Sequence, residues 1–278
     1  MNKKKKIIKI IRTLIVAFVV LLMLLPVFIM ISTSLKTYTD ITLWPPKWIP
    51  DNIQWGNYYE VLVGDKSIGR PFINSLVVSI STSTICVLLG AVAAFSVTRF
   101  KFVGREVFLF IIICTQMFSA VILVNPMYVI FRDLGLLNTR FALIASNTAS
   151  SLPMAVWLLY SYMSAIPIDM EEAAMIDGCS RLKAAIKVLF PLVIPGMITT
   201  GLFSFISSWG NIIYVQSFIT DSNLRTISIA LTDFESLYKT SWETQMAASV
   251  VSIIPVFIIF IFIQKHLVKG IISGGVKQ

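Results

Sequence analysis

The sequence predicts an all-α, polytopic membrane protein with six transmembrane helices. Three observations carry that prediction. First, the 278 residues are 56% hydrophobic and 13% charged, with a mean hydropathy of +0.84, more apolar than the core of a water-soluble chain of this size requires. Second, the chain holds six apolar windows, at 13–34, 72–97, 108–131, 141–165, 192–219 and 246–263; a helix needs about 20 such residues to cross a hydrocarbon layer of ~30 Å. Third, none of these windows contains Asp, Glu, Lys, Arg or His.

The opening "MNKKKK" before an apolar run has the look of a signal peptide. The run from Thr13 is longer than a signal core of about 7–15 residues and no A-x-A site follows, so it is expected to stay as the first span. Basic residues accumulate in cytoplasmic segments. With the N-terminus inside, the inner segments carry 15 Lys and Arg and the outer segments 8, and the inner ones are shorter. Both termini are therefore expected in the cytoplasm. Topology accounts for the net charge of +9, and without interleaved aromatics those charges do not suggest nucleic acid. Cys86, Cys114 and Cys179 are scattered without metal spacing and read as small apolar packing residues; no metal site is expected.

The densest mixed-charge stretch, "EEAAMIDGCSRLKAAIKVLFP" at 171–191, falls between the fourth and fifth windows, on the inner side. A span cannot hold it. Asp169 is placed to cap a helix, with Glu172 three residues on as in a capping box. Gly178 suits a left-handed corner, and Ser180 suits the cap of a second helix leading back into the bilayer. The expected product is a short stiff helix parallel to the membrane, with small Ala173 and Ala174 open to close approach by another surface and Glu172 available as an acceptor.

This stretch resembles the EAA loop of binding-protein-dependent ABC transporter permeases, E-A-A-x3-G-x9-I-x-L-P, matched here by Glu172, Ala173, Ala174, Gly178, Val188, Phe190 and Pro191. "AIPIDMEEAAMIDGCSR" is similar to the carbohydrate branch, as is "PMYVIFRDLGLLNTRFAL" at 126–143, and the stretch from Trp242 onward is similar to the second permease subunit of maltose-type systems. The resemblance implies a type I ABC importer permease fold and three parts. These are an N-terminal segment with the first span and an outer loop (1–70), a transmembrane domain (71–264) with its coupling loop at 167–191, and a cytoplasmic tail (265–278). It implies that Glu171, Glu172, Ala173, Ala174, Asp177 and Gly178 dock on a cytoplasmic ATPase dimer, which binds ATP and Mg; this chain binds no cofactor and, lacking G-x-x-x-x-G-K-[ST], is no enzyme. It further implies a second homologous permease subunit, an extracytoplasmic solute-binding protein that meets the outer turn at 220–243, and a bacterial cell membrane as the location. The tail "SGGVKQ" is similar to tails that touch the ATPase pair.

For the pathway, uncharged polar groups inside the windows stand out: Asn147, Ser151, Trp209, Asn211 and Tyr214. Amides and hydroxyls exchange hydrogen bonds with a sugar and an aromatic face stacks on its ring, although small hydroxyl residues also pack helices together in membranes. After Trp209, where the family often has Asn or Glu, this chain has Gly210 and then Asn211. The substrate expected is a neutral oligosaccharide. The other reading is an ion-coupled secondary transporter of a small polar solute. Proton coupling needs ionisable residues within the spans, and the windows have none. The lone His266, between Lys265 and Lys269, reads as solvated or facing headgroups.

Overall fold

The computed structural model describes residues 3–64, 67–235 and 240–275, with side chains described from 8 to 264 within those ranges. The regular elements among the described residues are helices. Five are long and apolar enough to cross a membrane: Ile8–Ser34, Gly69–Arg99, Arg140–Ser164, Arg181–Trp209 and Trp242–Gln264. A sixth stretch that passes the same test is a pair of helices bent at a short break, a broken span or a re-entrant loop. The chain falls into two compact units, one of residues 1–69 with 231–254 and one of residues 70–230 with 255–278.

In the first unit, α1 (Lys3–Ser34) contains Pro26 and exposes apolar side chains along its length. The chain then folds back over its end. Ser32 Oγ donates to the carbonyl of Trp48, Ser34 Oγ meets Tyr58 Oη at 2.7 Å, and Asn57 Nδ2 donates to the carbonyls of Ser34 and Lys36, both at 2.9 Å. Two short helices, α2 (Tyr38–Thr42) and α3 (Gly56–Val63), complete this cap. Lys36 is buried in it and donates to the carbonyl of Lys47. Burial pushes its ammonium below the ordinary lysine value, and Asp40 partly opposes that shift.

The second unit begins with α4 (Gly69–Arg99), whose first residue closes the first unit. The third apolar window is not one straight helix: α5 (Arg105–Thr115) and α6 (Ala120–Asp133) meet at 98°. The break is local, because the Ser119 side chain accepts from the N–H of Val121 and starts a new helix. Next, α7 (Arg140–Ser164) is capped by Thr139. The turn after α7 holds α8 (Asp169–Ile176) and α9 (Arg181–Ala184), then one turn of π-helix, Ala185–Leu189, before α10 (Phe190–Trp209). Pro191 has no N–H and its ring crowds the carbonyl four residues back; a widened turn placed there absorbs that misfit.

The fifth window, expected to continue to Ile219, stops at Trp209 with Gly210 as its cap, and a separate α11 (Ile213–Phe218) follows. The remaining helices are α12 (Ile227–Ala230) and α13 (Trp242–Gly275). Helical backbone thus runs well into the stretch read as a tail; residues 276–278 and the His266 side chain lie outside what the structure describes.

Close approach of helices sets the packing of this unit. Ser83 Oγ donates to the carbonyl of Gly201 at 2.7 Å, joining α4 to α10. Gly90 lies against Ala155 and Leu159 of α7, where an added Cβ would sit 3.2 Å from Leu159 Cδ1. One apolar cluster gathers Val78, Phe131, Leu143, Tyr214 and Phe218; a second gathers Ala91, Ala94, Leu159, Met163, Leu189 and Val193.

Candidate functional site

The charged turn between α7 and α10 is built on its glycine corner. Gly178 adopts φ +90°, a left-handed conformation unfavourable to residues with a Cβ, and its N–H and that of Cys179 return to the carbonyls of Met175 and Ala174 at 3.0 Å each. Ser180 accepts from the N–H of Lys183 and caps α9 as expected. The other expected cap is absent. The residue before α8 is Ile168, it makes no side-chain cap, and Asp169 is already helical. Asp169, Glu171 and Glu172 instead lie in the first turn, where carboxylates face the positive end of the helix dipole.

The two adjacent glutamates have opposite fates. Successive helical positions point about 100° apart, so only one can face the protein. Glu171 is 4% exposed, and its Oε1 accepts from Arg99 Nε at 2.5 Å. Glu172 and Ala173 face out, Ala174 is half-buried, and Asp177 is exposed at the corner. Arg99, the last residue of α4, also donates from Nη2 to the carbonyl of Ile166 at 3.1 Å. Its own carbonyl accepts from Arg181 Nη2 at 3.2 Å, and the Arg181 guanidinium lies 4.7 Å from the centre of the Phe100 ring. The buried Arg99 cation therefore ties α8 and the end of α7 to the end of α4, and the Arg99 carbonyl adds the start of α9. Reasoning from sequence counted Arg99 only as an inner basic charge. The available signal was the glutamate pair itself, because a helix of this length that exposes one must turn the other towards a partner.

The polar residues of the apolar windows are mostly packed. Asn147 is buried and donates to the carbonyl of Leu143 at 2.8 Å; Ser151 is buried beside it on α7. Trp209 is buried, stacked on Phe205 with ring centroids 5.5 Å apart and edge-on to Phe72 at 5.7 Å. Tyr214 is fully buried, stacked on Phe218 at 5.8 Å, with its hydroxyl against Ser150 Oγ. Asn211, half-exposed in the break between α10 and α11, accepts from the N–H of Tyr214 at 3.1 Å. The structure brings Asn211 and Tyr214 together, sets Asn147 and Ser151 on one buried face of α7, and packs Trp209 among other aromatics.

At the opposite end, a polar network ties residues 218–228 down. Asn138 (φ +58°) accepts at Oδ1 from the N–H groups of Thr220 and Asp221, at 2.6 and 3.1 Å. Asn74 Nδ2 donates to the carbonyls of Asn223 and Arg225, at 2.8 and 2.9 Å, and its Oδ1 accepts from Arg140 Nε at 3.2 Å.

Residues 86–273 match the family described as binding-protein-dependent transport system inner membrane component. The chain belongs to that family. The permease is 34% identical over 254 residues to the sulfoquinovosyl glycerol transport system permease protein SmoH of Agrobacterium fabrum, covering 91% of this chain and 89% of the relative. It is also 34% identical over 224 residues to the trehalose/maltose transport system permease protein MalG of Thermococcus litoralis, covering 80% of each. Its fold matches a chain in the crystal structure of a bacterial ABC transporter involved in the import of the acidic polysaccharide alginate, with a TM-score of 0.80, 25% identity and coverage of 95% and 98%. The permease thus has the ABC importer permease fold expected from its sequence, with α8 at the position of the EAA pattern.

Proposed function

We propose that this permease is one subunit of an ATP-driven importer that carries a sugar, a neutral oligosaccharide, into a bacterial cell, and that α8 is its coupling helix. Both termini and α8 then lie in the cytoplasm. A second, homologous permease completes the translocation path, an ATPase dimer with ATP and Mg lies beneath, and an extracytoplasmic binding protein delivers the sugar. The sugar class is supported by the names of the relatives, and neutrality by the absence of any basic residue from the six apolar windows.

One observation carries the reading: α8 exposes Glu172 and Ala173 while Glu171 locks its other face to Arg99. In this arrangement the exposed face docks on the ATPase, and the buried ion pair passes its displacement to α4 and, through α9 and the π-helical turn, to α10. For the pathway, Asn211 is the half-exposed member of the set, in the break between two helices, and is the one placed to meet a sugar. Asn147, Ser151, Trp209 and Tyr214 act behind it by fixing how the helices pack, and reach the sugar only if those helices part. A proton-coupled carrier would want an ionisable group within the spans, and no window supplies one.

Tagged permease purified gently from its host should bring down an ATPase and a second permease, identified by mass spectrometry. Glu172→Lys or Gly178→Pro should release the ATPase while leaving the protein in the membrane. Purification of the chain alone, as a stable homo-oligomer, would overturn the proposal.

A further inference from the structure

The connection between α4 and α5 has features that coupling does not use. It is residues 100–104, which span at most about 17 Å when extended. It joins an apolar span, α4, to the first half of the bent apolar pair, so a connection this short is held near the headgroup layer. Its tip is nevertheless apolar: Phe102 is 45% exposed and Val103 104% exposed, with Val107 exposed on the first turn of α5. Cations flank that tip, Lys101 exposed and Arg105 half-buried. Gly104 adopts φ +92° and caps α5 with no side-chain hydrogen bond, leaving the first N–H groups of an 11-residue helix without a side-chain acceptor. Lys101, Phe102, Gly104, Arg105, Glu106 and Val107 line a cavity of about 340 Å³ in this corner. Glu106 is its sole carboxylate, against two cations and a positive helix end, so the hollow favours an anion.

We propose that this corner binds an anionic phospholipid. Its phosphodiester lies against Lys101, Arg105 and the first N–H groups of α5, and its acyl chains run beside Phe102 and Val103. Charge complementarity and depth select this occupant together: a soluble anion has no use for the apolar tip, and the tip has none for a soluble anion. The lipid would then brace the end of α4, whose Arg99 holds α8.

The purified transporter, with its partner subunits, is placed in nanodiscs of phosphatidylcholine containing a minority of phosphatidylglycerol, released, and examined by native mass spectrometry for retained lipid. The expected result is selective retention of phosphatidylglycerol, weakened about 30-fold by Lys101→Ala with Arg105→Ala, at roughly fivefold for each charge removed near a membrane surface. Val103→Asp, which disfavours insertion of the tip while keeping both cations, should weaken retention as well. The control is Lys183→Ala with Lys187→Ala, two exposed charges beyond α8, and it should leave retention unchanged. Equal losses in the control and the test pair would mean diffuse attraction and overturn the site. So would undiminished retention in the test pair, or retention only after the ATPase is stripped away.

Discussion

Arg99 and Glu171 are 72 residues apart in sequence, each about 5% exposed at the side chain. Removing one member of a buried ion pair leaves an uncompensated charge and costs roughly 3–5 kcal/mol, whereas replacing both by apolar groups is often neutral. Glu171→Ala should therefore lower the unfolding midpoint in detergent sharply, and Arg99→Leu with Glu171→Leu should restore much of it. If ATP-driven uptake recovers along with stability in the double variant, the pair is structural only; the coupling role requires uptake to stay low. Two glycines separate backbone strain from crowding. An added Cβ at Gly178 meets nothing within 4 Å, so Gly178→Ala costs only its left-handed backbone, about 1–2 kcal/mol. At Gly196 the same Cβ would come within 2.5 Å of Tyr162 Cγ and 2.9 Å of its Cβ, so Gly196→Ala should be relieved only in part by Tyr162→Ala, which keeps that Cβ. No second-site truncation should relieve Gly178→Ala at all. Thermal midpoints of these variants decide the matter.

Among elements, the stretch after α11 is held by two asparagines, Asn138 at its start and Asn74 further on. Asn138 tolerates the left-handed conformation better than most residues, and its amide oxygen serves two backbone N–H groups and the Thr220 hydroxyl. Asn138→Ala should speed hydrogen exchange at Thr220 and Asp221 by about fivefold or more, at roughly 1 kcal/mol or more for lost hydrogen bonds. Unchanged exchange would mean that the Asn74 contacts to Asn223 and Arg225 suffice. The α5–α6 bend and the early end of α10 belong to the same scale. Hydropathy sees only an apolar run through 108–131 and 192–219. A side-chain cap at Ser119 and a glycine at 210 divide those runs into separate helices without changing their average polarity.

For the whole molecule, orientation is the property most open to direct test. With Cys86, Cys114 and Cys179 replaced by Ala, Lys183→Cys and Thr220→Cys supply single thiols on exposed residues of the second unit, one beyond α8 and one after α11. A membrane-impermeant maleimide applied to intact cells should label position 220, and position 183 only after permeabilisation. The reverse pattern would place α8 outside and remove it from the ATPase.

Sequence alone determined the membrane class, the spans to within a helical break, and the charged turn after the fourth window with its Gly178 corner and Ser180 cap. Partitioning into lipid sums over residues one at a time, and caps and left-handed corners depend on neighbours within a turn. Only the tertiary structure decided which glutamate of the pair faces inward, that Asp169 is not the cap of α8, and that Trp209 and Tyr214 stack within their own subunit. Those outcomes rest on partners brought together from distant parts of the chain, such as Arg99 for Glu171 and Phe72 for Trp209. A local pattern carries no record of which face of a helix will meet them.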